Sequence, residues 1–171
     1  MFAGDMPEIP RVQAVLEHPC FAGTLVAVDE AEADRRFCRH GLEHLLDVAR
    51  IAWILVLERG LGLSRELVYA AALLHDVGRA AQYEHGIPHD EAGEQLAAEI
   101  LGTVEAEKRF SSDEQQAILA AVRGHRGDVG ELDDLARVIA EADKLSRPCW
   151  ACAARDDCYW PDEKKNLTVR I

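Results

Sequence analysis

The stretch that decides the fold is Leu67-Val68-Tyr69-Ala70-Ala71-Ala72-Leu73-Leu74-His75-Asp76, an apolar run that ends in an imidazole beside a carboxylate. The run predicts a hydrophobic helix, and Gly78 just beyond it is the predicted cap of that helix. Burying a polar group without a partner costs roughly 2–7 kcal/mol. His75 and Asp76 therefore need a compensating interaction in the folded protein.

Helical periodicity organises the chain on both sides of this run. We predict helices over 29–58 with a break near Gly41, over 64–75, over 89–101, from Ser111 onward and over 131–146, with a turn-rich connection between the second and the third. Ser111 and Glu114 have the spacing of a capping box. No strand alternation of useful length is present. The prediction is a single all-α domain over 1–171 with about five to seven helices, a core at 29–148 and a loop-rich extension at 149–171.

Length and composition narrow the class of protein. The chain has 171 residues and a formal net charge of −12, which argues against binding along an extended nucleic acid. A small phosphorylated substrate is compatible with this charge, because a bound cation can reverse the local field. Neither a signal peptide nor an apolar run near the ~20 residues of a membrane span is visible, and the five cysteines are an odd number. We expect a cytoplasmic protein with reduced thiols and no membrane partner; the oligomeric state stays open.

Further polar residues fall on the apolar faces of predicted helices. His44 precedes Val48 and Ile51 by four and seven residues, the spacing of one helix face. His89, His125 and Asp143 have the same relation to apolar residues of their own helices. A shared metal ion explains these placements together, because neutral imidazoles and carboxylates become its ligands. Mixed nitrogen and oxygen donors suit a divalent transition metal (Mn, Fe, Co, Ni or Zn), and Mg is also compatible.

The order and surroundings of these residues resemble the HD-domain metal-dependent phosphohydrolase superfamily. The resemblance spans roughly residues 35–148 and is carried by three segments, His44-Leu45-Leu46-Asp47-Val48-Ala49, Ala72-Leu73-Leu74-His75-Asp76-Val77-Gly78 and Ala142-Asp143-Lys144-Leu145-Ser146. It implies a helical fold in which His44, His75, Asp76 and Asp143 bind one metal ion. It also implies a hydrolase that cleaves a phosphate ester of a small molecule through a metal-activated water, with a nucleotide as the favoured substrate.

The resemblance implies a role for two more histidines. Many relatives have them at the places of His89 and His125, where they bind a second metal ion or contact the substrate phosphate. Relatives with two ions commonly have a His-His doublet where this chain has His125-Arg126, so one ion and two ions both stay open. His89 and His125 are alternatively candidates for the general acid. The glycine-tyrosine-proline extension of cyclic dinucleotide phosphodiesterases is absent, which argues against that substrate.

Several cations and one further histidine lie near the motifs. Arg79 and Lys144 are placed to approach an anionic substrate, and Arg126 and Arg147 are further candidates. Each of these cations is equally compatible with a solvated residue or a surface ion pair. His40, one turn before His44, either lines the pocket, supports a ligand, or chelates the metal together with His44.

The cysteines suggest a separate site. Three of them form a C-x2-C-x5-C pattern that suits zinc or an iron–sulfur cluster but lacks a fourth ligand: Cys149, Cys152 and Cys158. Cys38 is the best fourth candidate, because it precedes His44 by the same six residues by which Cys149 follows Asp143. The arrangement also looks like a branch of the superfamily with a cysteine-rich tail. The simpler interpretation is a set of reduced thiols that pack with Trp150 and Trp160.

Two other functions stay open. The first is a regulatory module that binds metal or nucleotide without turnover, which would bind ligand tightly and hydrolyse nothing. The second is a di-iron oxygenase, because some proteins with this fold use two irons and His89 and His125 would suit the second one. Oxygen consumption would separate this second function from a phosphohydrolase.

Overall fold

The computed structural model of the chain describes residues 8–125 and 133–169. Within these ranges the protein is helical and has no strand, which confirms the predicted all-α class. The same ranges contain eight α-helices: α1 (Pro10–Leu16), α2 (Pro19–Ala31), α3 (Leu42–Arg59), α4 (Arg65–Leu74), α5 (Arg79–His85), α6 (His89–Thr103), α7 (Ser112–Gly124) and α8 (Asp134–Leu145). No helix in the described ranges is long and apolar enough to cross a membrane.

Helix α4 forms the centre of the core. It contacts α1, α3, α7 and α8, and the side chains of Val68 and 70–74 are fully buried. Burial on every side explains why this helix is apolar throughout, whereas a surface helix has a polar face. The Ser64 hydroxyl caps its start by accepting the backbone N–H of Leu67 at 3.2 Å. His75 forms the cap at its other end, so the helix delivers the polar pair inside the core.

The ends of four other helices meet α4 at this point. His44 lies in the first turn of α3, and His89 is the first residue of α6. His125 caps the end of α7, and Asp143 lies in the last turn of α8. Helices α3 and α8 pack against each other and against α4, while α7 packs against α4, α6 and α8. This packing brings residues from distant parts of the chain to one place.

The predicted helix over 29–58 is wrong between 32 and 41. Helix α2 ends at Ala31 and α3 begins at Leu42, directly after the expected break at Gly41. The buried carboxylate of Glu32 explains the interruption. Its oxygens accept the backbone N–H of His40 at 2.7 Å and pair with the ring Nδ1 of His40 at 2.5 Å. These bonds fold the segment back toward α2 where a helix would have continued.

Helix α5 lies in the connection that the sequence predicts as turns. Its residues Arg79–Gln82 are good helix formers, and the helix ends at Gly86, which has a left-handed φ of 71°. Gly78 does not cap α4 as predicted, because His75 forms that cap and Gly78, with a φ of −75°, precedes α5. A Cβ at Gly78 would lie 2.0 Å from the carbonyl oxygen of His89, so the close approach of α6 requires glycine there.

The two ends of the chain complete the domain. The core includes Val12, Val15 and Phe21 from α1 and α2, which precede the expected core range of 29–148. The capping box of Ser111 and Glu114 is confirmed at the start of α7. After α8 the chain forms three short 3₁₀ turns, Cys149–Ala151, Arg155–Asp157 and Asp162–Lys164, as expected for a loop-rich extension.

Candidate metal centre

Four of the predicted ligands converge at the end of α4. The ligand atoms of His44, His75, Asp76 and Asp143 all lie within 4.8 Å of one another. Asp76 Oδ2 is 3.6 Å from His44 Nε2 and 3.4 Å from His75 Nε2. Asp143 Oδ1 is 3.3 Å and 3.9 Å from the same two nitrogens. Donors with these separations can surround one ion with bonds of about 2.0–2.2 Å.

Two atoms of this group are buried without a hydrogen bond. Among the residues that the structure describes, neither His75 Nε2 nor Asp76 Oδ2 has a hydrogen-bond partner. His75 is fully buried and Asp76 is 2% exposed, so water does not compensate these atoms. Once the His75 ring has lost its proton, a divalent cation would satisfy the lone pairs of both atoms at once. The residues therefore fit the metal ion that the sequence predicts.

Backbone carbonyl groups fix the orientation of two histidine rings. His75 Nδ1–H donates to the carbonyl oxygen of Ala72 at 2.7 Å, and His125 Nδ1–H donates to that of Val122 at 2.7 Å. A carbonyl oxygen only accepts hydrogen bonds, so the proton of each neutral ring lies on Nδ1. The Nε2 atom of both rings therefore carries the lone pair that a metal ion needs.

Side chains orient the rings of His44 and His89, again with Nε2 toward the centre. The Ser146 hydroxyl donates to the carbonyl oxygen of Asp143 at 2.7 Å and accepts His44 Nδ1–H at 3.2 Å. His89 Nδ1–H donates to Gln82 Oε1 at 2.8 Å. The Nε2 atoms of His44 and His89 thus also face the centre. Partners of this kind hold a ligand ring in place and raise its basicity.

A second group of ligand atoms adjoins the first and shares Asp76. It consists of Asp76, His89 and His125, all of them buried. Asp76 Oδ1 lies 3.3 Å from His89 Nε2 and 3.8 Å from His125 Nε2, and the two nitrogens are 3.2 Å apart. Two lone pairs at this distance repel unless a proton or a cation lies between them. The two oxygens of Asp76 thus face two neighbouring sites.

The charges of the centre favour cation binding. Desolvation alone would lower the pKa of His75, but the carboxylates of Asp76 and Asp143 outweigh it and raise the pKa to about 10. Burial would raise the pKa of Asp76, yet His75, His44 and Arg79 hold it well below the usual range. The pKa of Asp143 is held down in the same way by His44 and His75. Both carboxylates are therefore ionised near neutral pH.

The predicted cations occupy different places. Arg79 Nε donates to Asp76 Oδ1 at 3.0 Å, so this guanidinium pairs with a ligand. The buried Arg147 donates from Nη2 to Asp143 Oδ1 at 2.7 Å and to His44 Nε2 at 3.2 Å. Lys144 is exposed and lines the cavity beside the centre. Arg126 lies outside the described residues.

A cavity of about 410 Å³ opens beside both ligand groups. Its polar wall includes His40, His89, His125, Arg79 and Lys144. Three aromatic residues also line the cavity: Phe37, Tyr159 and Trp160. This volume is within the range of about 300–1,000 Å³ of small-molecule sites. The cavity therefore offers cationic, imidazole and aromatic groups to one small ligand.

The residues that surround His40 are not predicted by the sequence. His40 joins neither ligand group, because its Nδ1 pairs with Glu32, so it forms no chelate with His44. Tyr83 also donates to Glu32. Burial would raise the pKa of Glu32, but these two partners lower it to about 2. The contact of Gln82 with His89 is not predicted either. No sequence pattern indicates side-chain hydrogen bonds such as Tyr83–Glu32 or Gln82–His89.

Comparison with known proteins agrees with this architecture. The family model of the HD domain matches residues 41–147. An uncharacterized protein of Clostridium beijerinckii is 43% identical over 138 residues, which are 81% of this chain and 84% of that protein. A crystal structure of a predicted HD superfamily hydrolase from an uncultured Thermotogales bacterium is similar in fold, with a TM-score of 0.59, 23% identity and coverage of 87% of this chain and 83% of that one.

A more distant similarity concerns part of a larger protein. Ribonuclease Y of Enterococcus faecalis is 33% identical over 105 residues, which are 61% of this chain. The matched region is 18% of that ribonuclease, so this chain spans less than a fifth of its length.

Proposed function

Because the chain belongs to the HD domain family, we propose that it is a metal-dependent phosphohydrolase that cleaves a phosphate ester of a small molecule. The observation that carries the proposal is the pair of buried ligand atoms without hydrogen bonds, His75 Nε2 and Asp76 Oδ2, inside a group of four donors. A divalent ion bound there would lower the pKa of a water molecule and polarise a phosphoryl oxygen.

His89 and His125 are placed to handle the proton that ester cleavage requires. Both line the cavity, and burial together with the charge of His75 lowers the pKa of His125. His89 Nε2 is nearer to Asp76 Oδ1 than His125 Nε2 is, at 3.3 Å against 3.8 Å, so His89 is the better placed of the two rings to hold a proton beside this carboxylate. In that state His89 acts as the general acid toward the leaving oxygen. The attacking water loses a proton in the same reaction, and His125 Nε2 would be a candidate to accept it.

The cations of the cavity would bind the phosphate. Lys144 lines the cavity from an exposed position next to Asp143. Arg79 lines it as well and is hydrogen-bonded to Asp76. Lysine binds phosphate as a point charge, and arginine adds directional hydrogen bonds. The two residues would hold the ester against the imidazoles of the second ligand group.

A nucleotide is the proposed substrate class. The aromatic rings of Phe37, Tyr159 and Trp160 offer stacking partners for a base on the cavity wall that also carries the cations. The likeness to a protein named ribonuclease Y supports a nucleotide phosphoester. The net charge of −12 argues against a long RNA, since that needs an extended basic surface. The proposed substrate is therefore a mononucleotide or a short oligonucleotide.

A hydrolysis panel tests this function. The whole chain is assayed with nucleotides, other phosphomonoesters and an RNA oligomer in the presence of Mn, Fe, Co, Ni, Zn or Mg. We expect hydrolysis of a nucleotide with at least one ion. Asp76→Asn should lower kcat/KM by more than about a hundredfold, because loss of a ligand exceeds the ~10–100-fold effect of losing a ligand's partner.

The matched control is Asp113→Asn, the same change at an exposed carboxylate in the first turn of α7. This variant should keep the activity of the unmodified protein. Tight nucleotide binding with no turnover in any metal would contradict the proposal and favour the regulatory module. Oxygen consumption with two irons per chain would also contradict the proposal and would indicate the oxygenase. The second ligand group supports that alternative, because it could hold the second iron.

A further inference from the structure

Four cysteines surround a second cavity next to the metal centre. Cys38, Cys149, Cys152 and Cys158 all line this cavity, which has a volume of about 620 Å³, and all four are free thiols. His44 and Arg147 line it too, so the cavity adjoins the centre. We propose that the four cysteines bind an iron–sulfur cluster through their thiolates. This site stands independently of the proposed hydrolysis.

The backbone of the extension brings three of the sulfurs to one side. Cys149–Ala151 is a 3₁₀ turn, closed by a hydrogen bond from Cys152 N–H to the Cys149 carbonyl oxygen at 3.2 Å. Side chains three residues apart eclipse each other in such a turn, so Cys149 and Cys152 point the same way. A second turn, Arg155–Asp157, ends at Cys158, whose N–H donates to the Arg155 carbonyl oxygen at 3.3 Å. The chain thus returns Cys158 to the same cavity.

The fourth sulfur comes from the loop before α3. Arg35 Nε donates to the Cys38 carbonyl oxygen at 2.8 Å and holds the loop conformation around this residue. Arg36 Nη2 donates to Asp157 Oδ2 at 2.7 Å, which joins the loop to the turn before Cys158. The fourth ligand that the C-x2-C-x5-C pattern lacks is therefore supplied by a segment that contacts the extension directly.

The extension has little apolar packing of its own. Among its described residues, Ala154 is the buried one, while Trp150 is 50% and Tyr159 81% exposed. Polar contacts attach it to the domain, because Asn166 Nδ2 donates to the carbonyl oxygens of Lys144, Leu145 and Arg147. The exposure of Trp150 argues against packing of the thiols with that residue, while Trp160 lines the same cavity. A cluster bound by the four thiols would add a further link between the extension and the domain.

The spacing of the sulfurs distinguishes between metals. Among these four cysteines, all of which the structure describes, no three sulfur atoms lie within 4.8 Å of one another. One zinc ion with bonds of about 2.3 Å would hold its four sulfurs about 3.8 Å apart. An iron–sulfur cluster places several metal ions and sulfides between its thiolates and therefore spans wider separations. The wider spacing argues against one zinc ion and leaves room for a cluster.

The cationic residues around the cavity are mostly paired with carboxylates. Arg36, Arg147 and Lys165 form ion pairs with Asp157, Asp143 and Asp162. The thiols themselves are the groups in this cavity that can bind iron, and each thiol releases its proton to water on binding.

Acid-labile sulfide is the measurement that tests the cluster, because the His/Asp centre contains none. The whole chain is purified without oxygen, supplied with ferric iron, a thiol reductant and sulfide, and freed of unbound ions. We expect about two or four sulfides per chain, with equal iron in the cluster and a visible absorption band. A protein that retains no sulfide overturns the proposal, and so does one zinc ion per chain that is lost on Cys152→Ser.

Variants assign the ligands. Cys38→Ser and Cys152→Ser should each reduce the retained sulfide at least tenfold, while far-UV circular dichroism shows the helices unchanged. Cys20→Ser is the matched control, since Cys20 bonds Glu99 in another part of the molecule and should keep the full sulfide content. Full sulfide in Cys38→Ser, or equal loss in Cys20→Ser, would overturn the assignment. The unmodified chain decides the question even if a variant fails to fold.

Discussion

At the scale of the residue, Ser146 connects the last helix to the metal centre. Its hydroxyl donates to the carbonyl oxygen of Asp143 and accepts His44 Nδ1–H, so it has no freedom to turn away. The second bond holds the ring of His44 with Nε2 toward Asp143. A hydroxyl that neither binds the metal nor touches the substrate thus sets the direction of a ligand.

Ser146→Ala should therefore weaken metal binding without unfolding the protein. We expect the affinity for a divalent ion to fall about 10–100-fold, as is usual when a ligand loses its partner. Titration calorimetry with Mn measures this, and Ser112→Ala at the exposed start of α7 is the control. An unchanged affinity in Ser146→Ala would show that the His44 ring is held by other contacts.

The pKa of His75 makes metal binding depend on pH. A metal ion needs the neutral ring, whereas the metal-free ring has a pKa of about 10. Binding must then release a proton, and the Mn affinity should rise about tenfold per unit between pH 7 and pH 9. Calorimetry in buffers of different ionisation enthalpy counts the proton, and no proton release would contradict this charge state.

The raised pKa of His75 also makes the stability of the metal-free protein depend on pH. The folded-state pKa of His75 lies above the ordinary value of 6.5, so its charge stabilises the fold fully below pH 6.5. That contribution should be lost as the pH rises toward 10. We expect the melting temperature of the chelator-treated protein to fall over this range and that of the metal-loaded protein to stay higher. A chelated protein that is equally stable at both ends would contradict the prediction.

At the scale of the element, the junction of α4, α5 and α6 depends on Gly78. The start of α6 crosses Gly78 so closely that a Cβ would lie 2.0 Å from the His89 carbonyl oxygen and 2.5 Å from the backbone nitrogen of Gly93. Backbone atoms cannot give way as a flexible side chain can. The position of His89 in the second ligand group thus depends on a residue with no side chain.

Gly78→Ala should destabilise the protein and displace His89. Overpacking of a core costs about 1–3 kcal/mol, and a clash with backbone belongs at the upper end of that range. Gly102→Ala is the control in α6, where a Cβ meets nothing within 4 Å and should stabilise the helix by up to about 1 kcal/mol. Urea unfolding measures both variants. Equal stability of the two would show that α6 shifts freely.

The sequence predicts the helices with a regular apolar stripe or a clear cap, but not α1, α2 or α5. Apolar periodicity and capping residues locate α4, α6, α7 and α8, because each buries a regular stripe or begins at a recognisable cap. The break at 32–41 escapes such patterns, since Glu32 is stabilised inside by His40 and by Tyr83, 51 residues away. Helix α5 escapes them too, because it buries none of its residues.

At the scale of the whole molecule, the metal centre is a product of the packing of five helices. Six of the residues that the sequence singles out meet there, because polar residues on apolar faces must converge when those faces form one core. The sequence does not predict that Arg79 and Arg147 pair with the ligands Asp76 and Asp143. Those pairings depend on the distances between helix ends, which only the assembled fold determines.

The metal ion itself is the central claim, and anomalous diffraction from crystals grown with Mn tests it most directly. We expect a peak bonded at about 2.0–2.3 Å to Nε2 of His44 and His75 and to a carboxylate oxygen of Asp76 and Asp143. Ordered density with no peak there, and with His75 Nε2 and Asp76 Oδ2 hydrogen-bonded to water or protein, would contradict it.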